Sequence, residues 1–456
     1  MNELVMNITV PAEVRGIIEK LEASGYEAYI VGGCVRDCLR GETPEDWDIC
    51  TSALPEQTKQ VFAGYSIVET GLKHGTVTVV LNHKPFEITT YRSDGVYSDN
   101  RHPNSVEFLD NIRGDLSRRD FTINAMAYNP KTGLVDFFNG AEDLKRGILK
   151  CVGDPDIRFQ EDALRILRAL RFASSLGMSV EEKTAKAMAD NKILLKKISA
   201  ERIAVELNKV IVGTSVRDVF TKHAPIILEV IPELIPTIGF EQNSPYHCYD
   251  VFTHTLVGIE AAAKDLVVRL ALLFHDIAKP DCYSQEDGVT RCFGHPQISS
   301  DIAGKILSRL KYDNDTIKAV EKLVSYHDSE ILPERKSVKR WLNKIGEERL
   351  RQLIEVKKAD AIAQSELYRQ DKPDNLTEVL ALLEEIIEQQ QFYSLKDLAV
   401  AGKELIEAGV PQGPQVGRIL KELVNMVINE QVENNKEDLM RLVSQMVKEG
   451  VVKTQK

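Results

Sequence analysis

A short apolar run that ends in two glycines constrains the fold of this chain more than any other feature of the sequence. Tyr29-Ile30-Val31 leads into Gly32-Gly33, and Arg36 follows three residues later. An apolar run of this kind is typical of a buried strand, and glycines directly after a strand permit a tight turn into a helix. Backbone N–H groups at such a helix start approach a phosphate closely. The segment therefore predicts a strand, a phosphate-binding turn at Gly33 and a helix whose first turn carries Arg36.

Two carboxylates follow this turn, at Asp46 and Asp48. On a strand, residues i and i+2 face the same side, so we expect the two side chains to project together. Adjacent carboxylates repel each other unless a divalent cation lies between them. A pair of glycines alone is usually a turn, and a D-x-D pair alone is usually a solvated strand end. In this order and spacing they predict metal-dependent phosphoryl or nucleotidyl transfer.

A second block, Asp115-Leu-Ser-Arg118-Arg119-Asp120-Phe-Thr-Ile-Asn124-Ala, places two arginines side by side. Their forked donors suit phosphate oxygens, and the Asn124 amide suits a ribose hydroxyl. Glu87 stands on a predicted strand, Phe86 to Tyr91, that follows the strand Thr76 to Leu81 and a turn at 82–85. It is either a third metal-binding carboxylate or a plain exposed strand glutamate.

The third block lies in a predicted helix over 161–175 and reads Glu161-Asp162-Ala-Leu-Arg165, followed by Arg168 and Arg171. On a helix, Asp162 and Arg165 lie on one face as i,i+3 neighbours, and an intrahelical salt bridge is one interpretation. The alternative is a protein template for bases. A carboxylate accepts from the exocyclic amine of cytosine or adenine, and a guanidinium donates to the ring nitrogen or carbonyl beside it, an order that G and U do not present.

These three blocks together resemble the class II tRNA nucleotidyltransferases, the CCA-adding enzymes and bacterial poly(A) polymerases of the DNA polymerase beta-like superfamily. The resemblance implies that Asp46 and Asp48 hold two Mg²⁺ ions. It implies that Asp162 and Arg165 read the base, and that Arg168 and Arg171 belong to the nucleotide site. In that superfamily a third carboxylate comes from a neighbouring strand, which favours Glu87. The motif Ile198 to Glu206 also matches and is expected to buttress the helical neck.

A separate series of histidines and aspartates lies in the second half of the chain. The series resembles the HD superfamily of metal-dependent phosphohydrolases in its two-metal form. The resemblance implies a site for a divalent transition metal, Mn, Co, Ni or Fe, and phosphoesterase chemistry on substrates such as 2′,3′-cyclic ends. A lone histidine on an apolar helix is more often a packed core residue, and such a fold can also persist as a scaffold. The residues in question are His254, His275, Asp276, His295, His327 and Asp360.

Composition bounds the class of protein. The chain has 456 residues, 43% hydrophobic and 28% charged, as in a globular protein of two to four domains. We expect no signal peptide and no membrane span. Seven dispersed cysteines indicate reduced thiols and a cytoplasmic location. The net charge of −11 disfavours general coating of nucleic acid, but Arg158 to Arg202 contains ten Lys/Arg against six Asp/Glu. This basic segment is either an RNA-binding patch or a solvated helical face.

We predict an α+β multidomain fold with a small mixed sheet in its head and helices after about residue 155. The predicted domains are a nucleotidyltransferase head over 1–150, a neck over 151–225, an HD domain over 245–365 and a helical tail over 390–456. The tail is a predicted tRNA contact, because Gly413 and Gly417 at a helix start would let the backbone meet a phosphate, unless they form only a turn and cap. The segment 91–103, rich in turn formers, is expected to be a mobile loop.

The resemblance implies template-independent addition of C, C and A to the tRNA 3′ end from CTP and ATP. It leaves the oligomeric state open. The intact loop at 91–103 favours an enzyme that adds the terminal adenosine. A poly(A) polymerase and an A-only adding enzyme are alternatives that share these motifs. An alternative of another class is an HD phosphohydrolase with an inactive, RNA-binding head.

Overall fold

The computed structural model describes residues 8–95, 106–242, 248–286, 289–365, 372–389 and 394–449. The chain divides into two compact units, Met1–Pro232 and Glu233–Lys456. Among the described residues, no helix is both long enough and apolar enough to cross a membrane. The seven cysteines, which all lie in described segments, are free thiols.

The first unit is built on a seven-stranded mixed sheet in the order β3-β4-β5-β2-β1-β8-β9. β2 and β5 are parallel, with Ile49 opposite Ile88, and the other neighbouring strands of this sheet are antiparallel. The strands of this unit are β1 (Ala28–Val31), β2 (Ile49–Thr51), β3 (Ser66–Val68), β4 (Thr76–Leu81), β5 (Lys84–Thr90), β6 (Arg92–Asp94), β7 (Val106–Phe108), β8 (Met126–Asn129), β9 (Gly133–Asp136), β10 (Ile148–Leu149) and β11 (Ser179–Val180).

Helices flank the sheet and then make up the rest of this unit. They are α1 (Ala12–Ala23), α2 (Gly33–Leu39), α3 (Pro55–Val61), α4 (Ile112–Ser117), α5 (Gly140–Lys145), α6 (Pro155–Glu161), α7 (Leu164–Leu176), α8 (Glu182–Asn191), α9 (Ala200–Ile211), α10 (Val216–Lys222) and α11 (Ala224–Val230), with short 3-10 helices at Leu72–His74, Thr122–Asn124 and Lys192–Lys197.

The glycine turn has the geometry that its sequence predicts. Gly32 has φ 78°, a conformation that side chains with a Cβ rarely adopt, and α2 starts at Gly33. A Cβ on Gly32 would lie 2.8 Å from Nη1 of Arg119. The turn is therefore tight in its backbone and closely covered by an arginine of the second sequence block.

Three local predictions need correction. Asp46 and Asp48 precede β2 and are not part of a strand. The β4–β5 turn is tighter than predicted: only Asn82 and His83, both with positive φ, connect the strands, and Lys84 already pairs with Leu81. The predicted helix over 161–175 is broken, because Asp162 is extended, with φ −138° and ψ 103°, between α6 and α7. The first residues of the segment 91–103, expected to be a mobile loop, form β6, which pairs with β7 beyond that segment. The rest of the predicted loop, from residue 96, lies outside the described residues.

The second unit is helical apart from one hairpin, β12 (Tyr283–Glu286) and β13 (Val289–Cys292), within the residues that the structure covers. Its helices are α12 (Val251–Ala261), α13 (Leu266–Phe274), α14 (His295–Arg309), α15 (Asn314–Tyr326), α16 (Arg335–Ile345), α17 (Glu347–Ile362), α18 (Lys372–Glu388), α19 (Gly402–Glu407), α20 (Pro414–Ile428) and α21 (Lys436–Lys448), with 3-10 turns at Pro232–Thr237, Lys279–Asp281 and Leu395–Asp397. The small mixed sheet of the first unit and the largely helical remainder confirm the predicted α+β class.

Hydrophobic cores stabilise the head and the C-terminal helices. In the head, one face of the sheet packs on α1 and α2 through residues such as Ile17, Ile30 and Ile88. The other face packs around Tyr91 and Leu116, beneath the second sequence block. At the C-terminus, α19, α20 and α21 share a separate core that includes Leu405, Leu423 and Leu439. The head core matters for the site because it holds the glycine turn, the carboxylates and the arginine pair on one rigid sheet.

Candidate nucleotide site and candidate metal centre

Three carboxylates converge beside the glycine turn. Glu87 on β5 and Asp48 before β2 lie side by side, since Ile49 and Ile88 are partners in the parallel ladder. Desolvation raises the pKa of Glu87, and the charges of Asp48 and Asp46 raise it further. Desolvation also raises the pKa of Asp48; Arg119 opposes this rise and Asp46 adds to it. The three groups therefore repel one another, and a divalent cation would relieve that repulsion.

A cavity of about 470 Å³ opens next to these carboxylates. Seven arginines and three aspartates of the described chain line it, a formal excess of four positive charges. Its shape and charge suit a polyanion such as a triphosphate. The lining includes every nucleotide-site residue predicted from the sequence: Gly33, Arg36, Arg119, Asn124, Asp162, Arg165, Arg168 and Arg171.

Asp115 organises the arginine pair of the second block. It is fully buried in α4, and its Oδ1 accepts from Arg118 Nε at 3.1 Å and Nη2 at 2.8 Å. Its Oδ2 accepts from Arg119 Nη2 at 3.3 Å. Burial alone would raise the pKa of Asp115, but Arg119 and Arg118 hold it below its usual value. The buried carboxylate thus holds both guanidinium groups at the cavity wall.

Asp120 connects the head to α7. Its Oδ2 accepts from Arg168 Nε at 2.8 Å, and its Oδ1 accepts from Asn124 Nδ2 at 3.1 Å. Asn124 Oδ1 in turn accepts from Arg36 Nη1 at 2.7 Å. Burial opposes ionisation, yet Arg168 and Asn124 lower the pKa of Asp120 to about 2. Arg36, Asn124 and Arg168 are therefore linked through one buried carboxylate, a role for Asp120 that the sequence reasoning missed.

The two predicted base readers lie at the break between α6 and α7 rather than on one helical face. Asp162 Oδ1 accepts from the Leu164 backbone, and its Oδ2 lies 3.3 Å from Arg202 Nη2 of α9. Arg165 is buried and donates to Glu161 Oε2 at 2.6 Å and to the Arg118 carbonyl at 3.1 Å. The expected Asp162–Arg165 salt bridge gives way to pairs with other residues, because Asp162 leaves the helix. Both residues nevertheless reach the cavity.

The second unit brings all six predicted HD residues together. Nε2 of His254 lies 2.9 Å from Asp360 Oδ1 and 3.3 Å from His275 Nε2. Nε2 of His295 lies 3.2 Å from His327 Nε2. Asp276 stands between the two halves: its Oδ2 lies 3.3 Å from His275 Nε2, and its Oδ1 lies 3.3 Å from His295 Nε2. The groups form two candidate metal-binding sets, His254–His275–Asp276 and Asp276–His295–His327.

Backbone carbonyls fix the tautomer of each imidazole in this cluster. Carbonyls accept only, so the Nδ1 atoms beside them carry the proton and the Nε2 atoms present lone pairs to the centre. Two Nε2 atoms that lie 3.2–3.3 Å apart and each present a lone pair repel each other unless a cation or an additional proton lies between them. The Nδ1 contacts are His254 with the Ala363 carbonyl at 3.2 Å, His275 with Leu272 at 2.7 Å, His295 with Cys292 at 2.8 Å and His327 with Val324 at 2.7 Å.

A further observation favours cations at this centre. Within the described residues, Asp276 Oδ1 is buried and accepts no hydrogen bond. An unsatisfied buried carboxylate oxygen is costly, and a metal ion would satisfy it. Two outer contacts orient the carboxylates: Lys279 Nζ lies 2.6 Å from Asp276 Oδ2, and Gln364 Nε2 donates to Asp360 Oδ2 at 3.1 Å. The sequence reasoning did not single out Lys279 or Gln364, which follow the predicted ligands Asp276 and Asp360 by three and four residues, just beyond α13 and α17.

Comparison with known proteins agrees with a nucleotide-binding role for the head pocket. Residues 28–150 match the family described as "Poly A polymerase head domain", 177–222 match "Probable RNA and SrmB- binding site of polymerase A", and 285–443 match "tRNA nucleotidyltransferase domain 2 putative". The CCA-adding enzyme of Limosilactobacillus reuteri (strain DSM 20016) is 34% identical over 438 residues, which cover 96% of this chain and 97% of that protein. The chain belongs to the CCA-adding enzyme family. It is thus a nucleotidyltransferase, as the sequence blocks predict.

Other members of the CCA-adding enzyme family extend this comparison. The enzyme of Lactobacillus helveticus (strain DPC 4571) is 50% identical over 204 residues, 45% of this chain and 51% of that one. The crystal structure of the Bacillus stearothermophilus CCA-adding enzyme in complex with CTP has a TM-score of 0.70 at 28% identity, over 96% of this chain and 97% of that chain. The Thermotoga maritima enzyme complexed with tRNA has a TM-score of 0.62 at 19% identity, over 98% of each chain, which shows a shared fold.

Proposed function

We propose that this chain adds C, C and A to the 3′ end of tRNA from CTP and ATP, without a nucleic-acid template and in the cytoplasm. The observation that carries the proposal is the cavity with an excess of four positive charges beside three carboxylates, in a chain similar along its length to CCA-adding enzymes. Related CCA-adding enzymes have been solved in complex with CTP, with ATP and with tRNA.

In this proposal, Asp46, Asp48 and Glu87 hold Mg²⁺. The donor set fits, because hard carboxylate oxygens suit this ion. Desolvation raises the pKa values of Asp48 and Glu87, and the neighbouring carboxylates raise them further, a repulsion that a cation relieves. When bound there, Mg²⁺ supplies charge neutralisation for the triphosphate and for the attacking 3′ hydroxyl. Of the three carboxylates only Asp48 lines the cavity, and Glu87 is exposed on β5, so we assign Glu87 a supporting role.

The arginines bind and orient the nucleotide. Asp115 holds Arg118 and Arg119, while α2 carries Arg36 and α7 carries Arg168 and Arg171. All five line the cavity and present forked donors to the phosphates. Asn124 stands where an amide meets a ribose hydroxyl. Together they fix the α-phosphate for in-line attack, which converts a bimolecular step into a positioned one.

Asp162 and Arg165 select the base by their donor and acceptor order. Asp162 is not part of a helix, and its Oδ2 accepts a hydrogen bond from Arg202. The side chain of Arg202 also lines the cavity. An incoming cytosine or adenine would offer its exocyclic amine to Asp162 and its ring acceptor to Arg165. The tail, in which Gly413 with φ 137° precedes α20, would contact the body of the tRNA by the same proposal.

The test is incubation of the purified chain with tRNA that lacks its CCA end, with CTP and ATP, followed by sequencing of the 3′ ends. We expect products that end in CCA and then stop. Long adenosine tails would show a poly(A) polymerase instead. Addition to tRNA ending in CC, but none to tRNA lacking all three nucleotides, would show an A-only enzyme.

A second candidate function is metal-dependent phosphoester hydrolysis in the second unit. The observation that favours it is the convergence of four Nε2 atoms on the Asp276 carboxylate, two beside Oδ2 and two beside the unsatisfied Oδ1. The donor set of imidazoles and carboxylates fits Mn²⁺, Co²⁺, Ni²⁺ or Fe²⁺. Bound there, such ions would supply an activated water for attack on phosphorus. His254, His275, Asp276 and Asp360 would hold one ion, and Asp276, His295 and His327 would hold the other.

Metal analysis of protein purified without chelator tests this second function first. We expect close to two transition-metal ions per chain, and metal-stimulated hydrolysis of a 2′,3′-cyclic nucleotide. Bound metal without hydrolysis would leave a metallated scaffold. Absence of metal, and no hydrolysis with any of the four ions added, would contradict the proposal. Hydrolysis without any CCA addition would instead support the alternative of an inactive head.

A further inference from the structure

Three arginines of the nucleotide cavity surround one aromatic ring. The guanidinium carbon of Arg171 lies 4.2 Å from the ring centroid of Phe172, that of Arg36 lies 5.2 Å away and that of Arg168 lies 5.6 Å away. Each distance is within the range of an attractive cation–π contact. The ring is 5% exposed and lines the cavity, and Phe121 supports it edge-on at 5.7 Å.

These arginines repel one another. Burial lowers the pKa of Arg171, and the neighbouring charges of Arg168 and Arg36 lower it further, against the opposing effect of Glu206. Repulsion of this kind would drive the three guanidinium groups apart when no polyanion is bound. A cavity that must receive a triphosphate therefore needs a device that keeps them clustered.

Among the described contacts, no carboxylate forms an ion pair with all three arginines, although Asp120 pairs with Arg168 and reaches Arg36 through Asn124. Arg36 pairs with Asp37 on α2 at 2.7 Å, and Arg171 pairs with Glu206 on α9 at 3.1 Å. Arg168 pairs with Asp120, in the segment before the Thr122–Asn124 turn. Phe172 is the group that all three arginines share.

We infer that Phe172 is a positioning residue for nucleotide binding: its ring holds Arg36, Arg168 and Arg171 as a preformed set that meets the triphosphate. The inference deepens the proposed nucleotidyl transfer and rests on it. Preformed donors lose less side-chain entropy on binding than mobile ones, so their organisation raises affinity. The aromatic quadrupole suits the task, because it attracts three cations without neutralising the charge that the triphosphate needs.

The competing interpretation is that Phe172 only fills the core between α7 and the head. An aliphatic side chain of similar size would then serve equally well. Phe172→Leu separates the two interpretations, since it keeps apolar volume and removes the π face. We expect the equilibrium Kd for CTP and for ATP to rise about tenfold, with a smaller change in kcat. The affinity for cytidine, which lacks phosphates, should stay unchanged.

Phe159→Leu is the matched control. Phe159 on α6 is fully buried in the same unit, and no cation lies over its ring among the contacts of the described residues. The Phe159→Leu variant should lower the stability of the protein by about as much as Phe172→Leu does, without raising the Kd for nucleotides. Equal increases in Kd for both variants would show a packing effect and overturn the inference.

A series of fluorinated phenylalanines at position 172 tests the π face without changing the stability of the fold. Phenylalanine, 4-fluoro-, 3,5-difluoro- and pentafluorophenylalanine have nearly the same shape and a progressively weaker π face. We expect log Kd for CTP to increase steadily along the series while the thermal midpoint stays constant. A flat series would overturn the inference. Failure of the unmodified protein to bind any nucleoside triphosphate would instead contradict the proposed function itself.

Discussion

In the head pocket, arginines reach carboxylates on other elements and leave a wide cavity between them, whereas in the second unit four imidazoles form two pairs, with Nε2 atoms 3.2–3.3 Å apart within each pair, around one aspartate. The pocket has an excess of positive charge and partly exposed carboxylates. The histidine cluster is almost wholly buried, apart from partly exposed Asp360. The first arrangement suits a large polyanion that must enter and leave. The second suits small cations that remain bound.

The comparison also separates two uses of a buried carboxylate. Both carboxylate oxygens of Asp115 and of Asp120 accept hydrogen bonds from arginine or amide donors, so these two groups position other side chains. Asp276 keeps Oδ1 unsatisfied toward its neighbours in the described chain. A saturated carboxylate thus indicates structure, and an unsatisfied one indicates a place for a cation.

The largest expected effect comes from removing a carboxylate that would hold the head metal, and it tests whether the two sites are independent. Asp46→Asn or Asp48→Asn should lower nucleotide addition by roughly a thousandfold or more, because metal-dependent stabilisation of several kcal/mol is lost. Binding of tRNA should survive. Glu45→Gln, an exposed neighbour, is the control and should leave the rate unchanged. Normal turnover in either aspartate variant would exclude this metal site.

The converse change should empty the histidine cluster. His275→Ala combined with Asp276→Ala removes a ligand from each metal-binding set, so we expect loss of bound transition metal and of any phosphoesterase activity, while CCA addition continues. Elemental analysis and both activity assays provide the measurement. His223→Ala, a histidine of the first unit outside the cluster, is the control. If CCA addition fell together with metal content, the two sites would not be independent.

Asp120→Asn tests the saturated carboxylate through its pH dependence. Its pKa is lowered from 3.8 to about 2, so its stabilisation is present above the unfolded-state value and is lost as the pH falls toward about 2. The variant should lose about 2 kcal/mol at pH 7, and the difference from the wild type should narrow below about pH 4.

Trp47 fluorescence in a Trp341→Phe background follows urea unfolding of the first unit alone, since Trp341 lies in the second. Asp218→Asn, from an exposed ion pair with Lys222, is the control and should change stability little. A difference that is constant from pH 7 to pH 3 would show that the ionised Asp120–Arg168 pair is not its source.

The smallest expected effect concerns base choice. Asp162→Asn and Arg165→Lys should raise incorporation of UTP relative to CTP by roughly five- to tenfold, since one mismatched buried hydrogen bond costs about 1 kcal/mol. The measurement is the ratio of kcat/KM for the two nucleotides, with the exposed Glu201→Gln as control. Wild-type selectivity in both variants would make the break between α6 and α7 purely structural.

Several features of the fold were predictable because their causes are local in sequence. The glycine turn follows from the conformational freedom of Gly32, and the β4–β5 hairpin follows from alternating apolar residues around a polar turn. The set of HD residues was predicted by its order, and the structure brings its members together. The family itself was also predicted from motifs, and the full-length similarity confirms it.

The predictions that failed are those that depended on contacts from distant segments. Helical periodicity continues through Asp162, but this residue leaves the helix, caps α7 through the Leu164 amide and meets Arg202 of α9. The D-x-D pair was placed on a strand, although β2 begins only at Ile49. The four-domain division and the tRNA contact of the tail stay predictions.

By itself, the sequence determined the chemistry: which carboxylates, arginines and histidines are present, and their spacing along short turns, helices and strands. Tertiary structure alone decided which charges meet. Asp120 and Arg168 are 48 residues apart in sequence, and His254 and Asp360 are 106 apart, yet both pairs are in contact. Periodicity records only which face of an element is buried. Partners and distances across elements follow from how the elements pack, and they decide the pKa of Asp120, the role of Phe172 and the unsatisfied oxygen of Asp276.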